Sequence, residues 1–397
     1  MKTASGCSGD LLVPARATAN KRICVVLTVD DLGYGGAERQ VVELANNMDA
    51  ERFDVHVCTL SNYAPLAGTL RDADHRLHTV VKRWRFDVTA VFQLAHLLRA
   101  LHADIVHGFL FSGEIVSRLA GRLAGTKLIL GSERNANQVF RRSNLIAYRL
   151  TQRFAHAIIA NSHAGAESNR RVFGREAADY RVVHNGVDTE RFKPADGKGI
   201  RRRWGIPAQC PVIGVFAAFR EQKNHPMLLR AFKQVLDSFP EARLLLVGDQ
   251  PVDGRGKYDD YKARLHRTVD DLGLRDRCLF LGHQKNPEDL YAACDVTALS
   301  SLHEGTPNVL LESMACGIPV VATNVCDNAY VVREGEVGYL VAVGDEAGMA
   351  QRLKSLLTDA ALRMKMGQRA RSWVMEEFSN KRLADKTEAV YTELLRR

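Results

Sequence analysis

No run of 18 or more apolar residues occurs in the 397-residue sequence, so no segment reads as a bilayer-spanning helix. The first twenty residues, MKTASGCSGDLLVPARATAN, have no apolar h-region. They read as a disordered extension rather than a secretory leader, and Cys7 within them is a poor lipidation candidate. The eight cysteines include no C-x-x-C pair, and several lie in apolar runs such as ICVVLTV, HVCTL and CLFLG. That pattern points to buried thiols in a reducing cytoplasm and away from disulfides or a zinc site. Short-period repeats, low-complexity blocks and the stacking-aromatic or recognition-helix motifs of nucleic-acid binders are also missing. What is there, 46% hydrophobic and 25% charged residues, is globular, and the length suits two domains.

The net charge of +9 is unevenly spread. Residues 1–195 hold 26 Lys/Arg against 19 Asp/Glu, and residues 196–397 hold 29 against 27. Between Lys82 and Arg153 the count is 12 basic to 4 acidic. Such a surplus suits a polyanionic partner, with a merely solvated basic face as the equal alternative.

Both halves alternate short apolar runs with helical patterns. RICVVLTV, DVHVCTL, DIVHGF, KLILGS and AIIANS read as buried parallel strands, as do VIGVFAAF, ARLLLVGD, CLFLGH, VTALSS and PVVAT further on. Segments such as GGAERQVVELANNM and MLLRAFKQVLDSF between them carry helical spacing. The expected fold class is therefore α/β, with two doubly wound domains whose ligand lies at the carboxyl ends of the strands. The expected boundaries are an extension over 1–20, a first domain over 21–195 and a linker over 196–209. A second domain covers 210–375, and a final helix over 376–397 could return to the first domain.

Two places suit an anion. The first is DLGYGGAE (Asp31–Glu38), where glycines after a strand open a helix. It is not a G-x-G-x-x-G in register, and no acid ends HVCTLS, which argues against a nicotinamide dinucleotide. A plain βα turn remains the alternative. The second is HEGTPNVLLESMACGIPVVAT (His303–Thr323). Here Thr306 reads as an N-cap, Pro307 as the first helical residue, and Gly317 and Pro319 as the end. Glu304 precedes the helix and Glu312 lies in its second turn. On spacing alone these acids are as readily solvated charges at a helix start as ligand groups. A diphosphate at the helix start would leave one acid for a sugar and one for a ribose.

The ordered series GGAERQVVELA, VVHNGVDTERF, FREQKNHPMLLRAF, LLLVGD, FLGHQKNPEDLYAACDV, EGTPNVLLESMACGIPVVAT and GEVGYLV resembles the retaining, two-domain (GT-B) glycosyltransferases of family 4 over roughly residues 22–397. The last-but-one carries the family's E-x7-E signature. The resemblance implies a nucleotide-sugar donor, a UDP-sugar first and GDP-mannose second, held mainly by the second domain. Glu312 would take the ribose, Glu304 the donor sugar and Lys223 the diphosphate, approached also by Gly35 and Gly36. The donor set it implies further includes Gly305, Thr306, Pro307, Asn308, Gly248, His283 and Gln284.

The sequence departs from the family at Ala217 and Ala218, where many members carry Gly-Arg; Arg220 is the candidate replacement. It also departs at LILGSERN, where many members have a histidine facing the sugar. Arg134 there and His107 in DIVHGF are the acceptor-side candidates, and for His107 a structural role is the rival reading. No cofactor is expected. No D-x-D-like pair stands at a strand end by the site, so metal-independent transfer is expected. The acceptor would be a glycan or lipid-linked hydroxyl in surface polysaccharide or glycoconjugate synthesis. KRWRF (Lys82–Phe86) and FRRSNLIAYRLTQRF (Phe140–Phe154) suggest contact with an anionic membrane at its cytoplasmic face. A nucleotide-sugar-binding scaffold without transfer activity is the competing reading.

Overall fold

A computed structural model describes residues 22–84, 87–134, 142–173, 179–250 and 260–397. The expected extension over 1–20 lies outside these, as do Arg85, Phe86, Asn135, Phe140 and Arg141.

The first sheet has seven strands: β1 (Ile23–Val29), β2 (Phe53–Thr59), β3 (Leu77–Thr79), β4 (Ile105–Phe109), β5 (Leu128–Glu133), β6 (Ala157–Ala160) and β7 (Asp179–Val182). They lie in the order β3-β2-β1-β4-β5-β6-β7. The second has six: β8 (Val212–Phe216), β9 (Arg243–Val247), β10 (Cys278–Gly282), β11 (Val296–Leu299), β12 (Val320–Thr323) and β13 (Gly338–Val341), ordered β10-β9-β8-β11-β12-β13. Every pairing is parallel. The central strands are the apolar runs of the sequence, because a parallel strand is covered by helices on both faces. The strands not anticipated, β3, β7 and β13, are edge strands. DYRV and LHT are short and half-polar, which an edge tolerates and a central strand does not.

Each sheet reverses direction beside its first strand, between β1 and β4 and between β8 and β11. Crevices at the carboxyl ends of strands open at such points, and in both halves the candidate residues sit there. The chain crosses between domains twice. The two crossings run side by side: Val187 N–H donates to Phe378 O at 2.8 Å and Asn380 N–H to Val187 O at 3.1 Å. After the second crossing, the helix Asn380–Leu395 packs on the first domain and adds Leu383, Ala384 and Tyr391 to a core with Val25, Leu27 and Phe53. Glu388 accepts from Asp49 N at 2.7 Å and from Arg52 Nη1 at 3.1 Å.

The stretch 196–209 is not a free linker. It contains the helix Lys198–Arg203, with Ile200 and Trp204 against the second domain's core and Arg201 Nη2 2.9 Å from Asp295 Oδ2. Its polar pattern comes from the solvent face of this docked turn. The seven described cysteines are free thiols; six are buried and Cys326 is partly so.

Candidate functional site

The second domain builds its share from two loops stitched together by backbone. After β8, residues Glu221–Lys223 form a 3-10 turn that ends on Asn224 at φ 47°. Ser300 Oγ, just beyond β11, donates to the carbonyls of Lys223 and Asn224 at 2.8 and 2.9 Å. Leu302 N donates to Gln222 O, and Gln222 Nε2 to His303 O, both at 2.8 Å. Three neutral donors, the Ser300 hydroxyl shared between two carbonyls and each bond worth roughly 1 kcal/mol net, thus lock the lysine loop onto the glutamate loop. The result is a close pair: Lys223 Nζ lies 2.5 Å from Glu304 Oε1, which also accepts from Ser301 Oγ at 2.5 Å. Glu304 N–H points to Cys326 Sγ at 3.5 Å.

The helix Asn308–Ala315 follows, and its start differs from the expected one. Pro307 is extended (φ −75°, ψ 115°) and occupies the cap position, so the first helical residue is Asn308. Thr306 does not cap: its hydroxyl donates to Asn161 O of the other domain. Gly317, at φ 72°, ends the helix as expected. Glu312 is buried. Its Oε2 accepts from Tyr291 OH at 2.9 Å, and its Oε1 lies 2.6 Å from Arg39 Nη1. Burial and then the charge of Glu312 hold the Tyr291 phenol well above its ordinary range, so it remains a donor.

The first domain reaches this helix start through side chains. Asn185 Nδ2 donates to Thr306 O at 2.8 Å and to Asn308 Oδ1 at 2.7 Å. Asn308 Nδ2 reaches Gly36 O at 3.3 Å. Gly305 lies against Asn161, whose side-chain amide fills the space a Cβ would need. Arg134 Nη1 is 3.2 Å from Asn185 Oδ1, and its guanidinium lies 4.7 Å from the Phe109 ring centroid. Burial lowers Arg134 to about 10, and its Nε is buried without a hydrogen-bond partner among the described residues.

A second seam lies beside it. Asp327 accepts from the backbone of His163 and Ala164 at 2.7 and 2.9 Å, and from His163 Nδ1 and His184 Nε2 at 2.9 and 3.0 Å. Burial pushes this carboxyl up, but these donors, His184 foremost, hold it well below the usual carboxylate range.

The remaining expected residues divide. Gly248 has φ 143° and packs on the Ala217 carbonyl, a conformation and an approach that only glycine permits. His283 faces Tyr34 of the first domain with ring centroids 4.8 Å apart. Gln284 turns back to Leu281 O at 2.5 Å. Arg220 is exposed, and its charge is among those opposing the ionisation cost of Glu38. Glu38 folds back against Gly35, and burial raises it to about 6. His107 is not on the acceptor side of the cleft. It is fully buried, with Nδ1 2.7 Å from Tyr391 OH and Nε2 2.9 Å from Ser132 Oγ. It joins the C-terminal helix to the sheet, because a buried imidazole needs both nitrogens partnered.

Arg39, Gln40, Asn161, Asn185, Tyr291, Ser301 and Cys326 were not among the expected site residues. Six of them stand inside stretches read above, GGAERQ, AIIANS, VVHNGVD, FLGHQKNPEDLYAACDV and VTALSS, but nothing in those strings shows which side chain faces the cleft.

Two family models match the chain: Glycosyl transferases group 1 over residues 197–373 and Glycosyltransferase Family 4 over residues 34–191. Among curated relatives, the N-acetyl-alpha-D-glucosaminyl L-malate synthase of Bacillus anthracis is 29% identical over 78% of this chain and 80% of its own length. The D-inositol 3-phosphate glycosyltransferase of Streptomyces avermitilis is 30% identical over 90% of this chain and 83% of its own length. Several other relatives align over only 52–56% of theirs. Among solved structures, HepE of Anabaena in complex with UDP-glucose superposes with a TM-score of 0.80 at 23% identity, over 93% of this chain and 99% of that one.

Proposed function

The chain belongs to the family 4, group 1 glycosyltransferases and has their GT-B fold, and from that premise we propose that it transfers a sugar from a UDP-sugar to an acceptor hydroxyl with retention and without a metal. GDP-mannose is the alternative donor. The observation that carries this reading is the Lys223–Glu304 pair at 2.5 Å, beside a helix start that faces the opposite domain. The complex of a structurally similar protein with UDP-glucose supports the choice of donor.

The bond to break joins the anomeric carbon to a phosphate oxygen, and the diphosphate gains charge as it leaves. Preorganised positive groups are the strongest lever on that charge. Lys223, the amides at 305–308 and Arg220 would supply them, and Gly35 and Gly36 would approach from the first domain. Glu304 would orient the sugar and stabilise positive charge at the anomeric carbon. Two donors already converge on its Oε1, which makes it a poor nucleophile and favours front-face transfer. In that route the leaving phosphate takes the acceptor's proton. Glu312 would receive the ribose, and the pocket by Gly248, His283 and Gln284 the base.

Acceptor binding would fall to the first domain, with a glycan or lipid-linked hydroxyl as the substrate at the inner face of a membrane. Val88 and Phe92 are exposed four residues apart on the helix Val88–Ala100, as are Ile146 and Leu150 on Arg142–Thr151. Trp84 is exposed beside Lys82 and Arg83. Apolar groups on one helical face beside basic residues suit an anionic lipid surface. No described helix is long and apolar enough to cross a membrane. A smaller anionic acceptor is the second reading, favoured by the Arg134 Nε, which has no partner among the described residues, and by the malate and inositol 3-phosphate in two relatives' names.

The test is a panel of UDP- and GDP-sugars assayed for thermal stabilisation and for hydrolysis or transfer. A donor raises the stability of the state it binds. Stabilisation without turnover on any acceptor would favour the non-catalytic scaffold instead.

A further inference from the structure

Glu312 comes from the second domain, but the two donors on its oxygens come from both. Tyr291 OH belongs to the same domain and holds Oε2 at 2.9 Å. Arg39 Nη1 crosses the cleft to Oε1 at 2.6 Å, and the Glu312 side chain is only 6% exposed. A carboxylate has roughly four acceptor sites, two on each oxygen. With one site on each oxygen taken, one remains on each, which matches the two hydroxyls of a vicinal diol.

Arg39 is itself held in place. It lies in the first turn of the helix Gly36–Asn47. The next residue, Gln40, bonds both the N–H and the C=O of Gly186 at 2.8 Å. Gly36 is gripped from the second domain by Asn308. A flexible, exposed arginine would add little to an ion pair; here the carboxylate is buried and the helix is pinned on both sides.

Resting on the reading that Glu312 receives the donor's ribose, we propose that Arg39 is a positioning residue for that carboxylate, so that ribose recognition is completed from the opposite domain and requires a closed cleft. The second domain alone supplies the acid; the first sets the direction in which its remaining lone pairs point. Removing the arginine leaves Tyr291 holding one oxygen and frees the carboxylate to rotate. Discrimination between a ribose and a 2′-deoxyribose then falls, not only overall affinity.

Calorimetric titration of the full chain with UDP and with 2′-deoxy-UDP tests this in the wild type, Arg39→Ala and Arg39→Lys. One hydrogen bond to a charged group corresponds to a wild-type preference for UDP of roughly ten- to hundredfold. Arg39→Ala should bring the two nucleotides within about threefold of each other, and Arg39→Lys should restore part of the preference. Circular dichroism and the melting temperature establish that each variant is folded. If Arg39→Ala keeps the full preference, or weakens both nucleotides equally, the positioning role is overturned. If the wild type itself shows no preference, the ribose assignment of Glu312 fails first, a distinct result.

Discussion

The two domains share a strand order around β1 and β8, yet they place their polar groups at the cleft by different means. In the second domain, Lys223 and Glu304 are adjacent because backbone and Ser300 stitch their loops together. These contacts stay within one domain, although they join two loops 76 to 81 positions apart in the chain. In the first domain, Arg39, Asn161 and Asn185 come from separate strand ends and helix starts and meet second-domain groups across the cleft, while Arg134 holds Asn185 from within its own domain. On the proposed reading, the second domain would present a prebuilt donor site. The first would supply the facing wall, with a basic and partly apolar outer surface.

Substitutions that separate these behaviours are the sharpest tests. Glu304→Gln should have the largest effect, lowering turnover about 10²–10³-fold while UDP affinity is nearly unchanged, as loss of one transition-state contact would. Initial-rate kinetics beside calorimetry would read it, and unaltered turnover would break the claim that the second domain carries the chemistry. Glu312→Ala should instead weaken the donor about ten- to hundredfold, with a smaller change in turnover at saturating donor. Equal donor affinity would remove its ribose role. Arg134→Ala should raise the acceptor KM about tenfold, one charged contact's worth, at unchanged donor affinity. A matching loss in both substrates would erase the division between domains.

The smallest effect concerns stability and belongs to the first domain. Burial, reinforced by Asp188, pushes the Glu43 carboxyl from 4.5 up to about 7. A group harder to ionise folded than unfolded binds its proton more tightly in the native state. Stability therefore falls as pH rises from about 4.5 toward 7 and stays reduced above that. Glu43→Gln should exceed the wild type by about 1–2 kcal/mol at pH 8, discounted for partial exposure, with the gap closing toward pH 4. Denaturant melts at both pH values would show it. A gap that widened toward pH 4 would contradict the shift.

Legibility followed the range of the interactions. Central strands were readable because burial on both faces demands continuous apolar runs; β3, β7 and β13 were not, because an edge makes weaker demands. The helix start was misplaced by one residue because Thr306 spends its hydroxyl on Asn161 across the cleft, a partner 145 positions away. The strand-end position of His107 suited either a ligand contact or a structural role, the latter slightly more. Only the return of Tyr391 from the C-terminal helix fills its second nitrogen. Residues 196–209 looked like a tether because their charged face is the one that meets water.

By itself, the sequence determined the α/β class, the two-domain plan, the reduced thiols outside any C-x-x-C pattern and the local spacing of Glu304 and Glu312 around one helix start, since all of these rest on periodicity or on near neighbours in the chain; Lys223 joined them there only through the family resemblance. Tertiary structure alone decided which first-domain side chains face that frame, that Arg39 shares Glu312 with Tyr291, and that Asp327 caps a helix of the other domain. Those contacts join residues more than a hundred positions apart, and no local pattern constrains a pair whose closeness depends on how two separately folded sheets come to face each other.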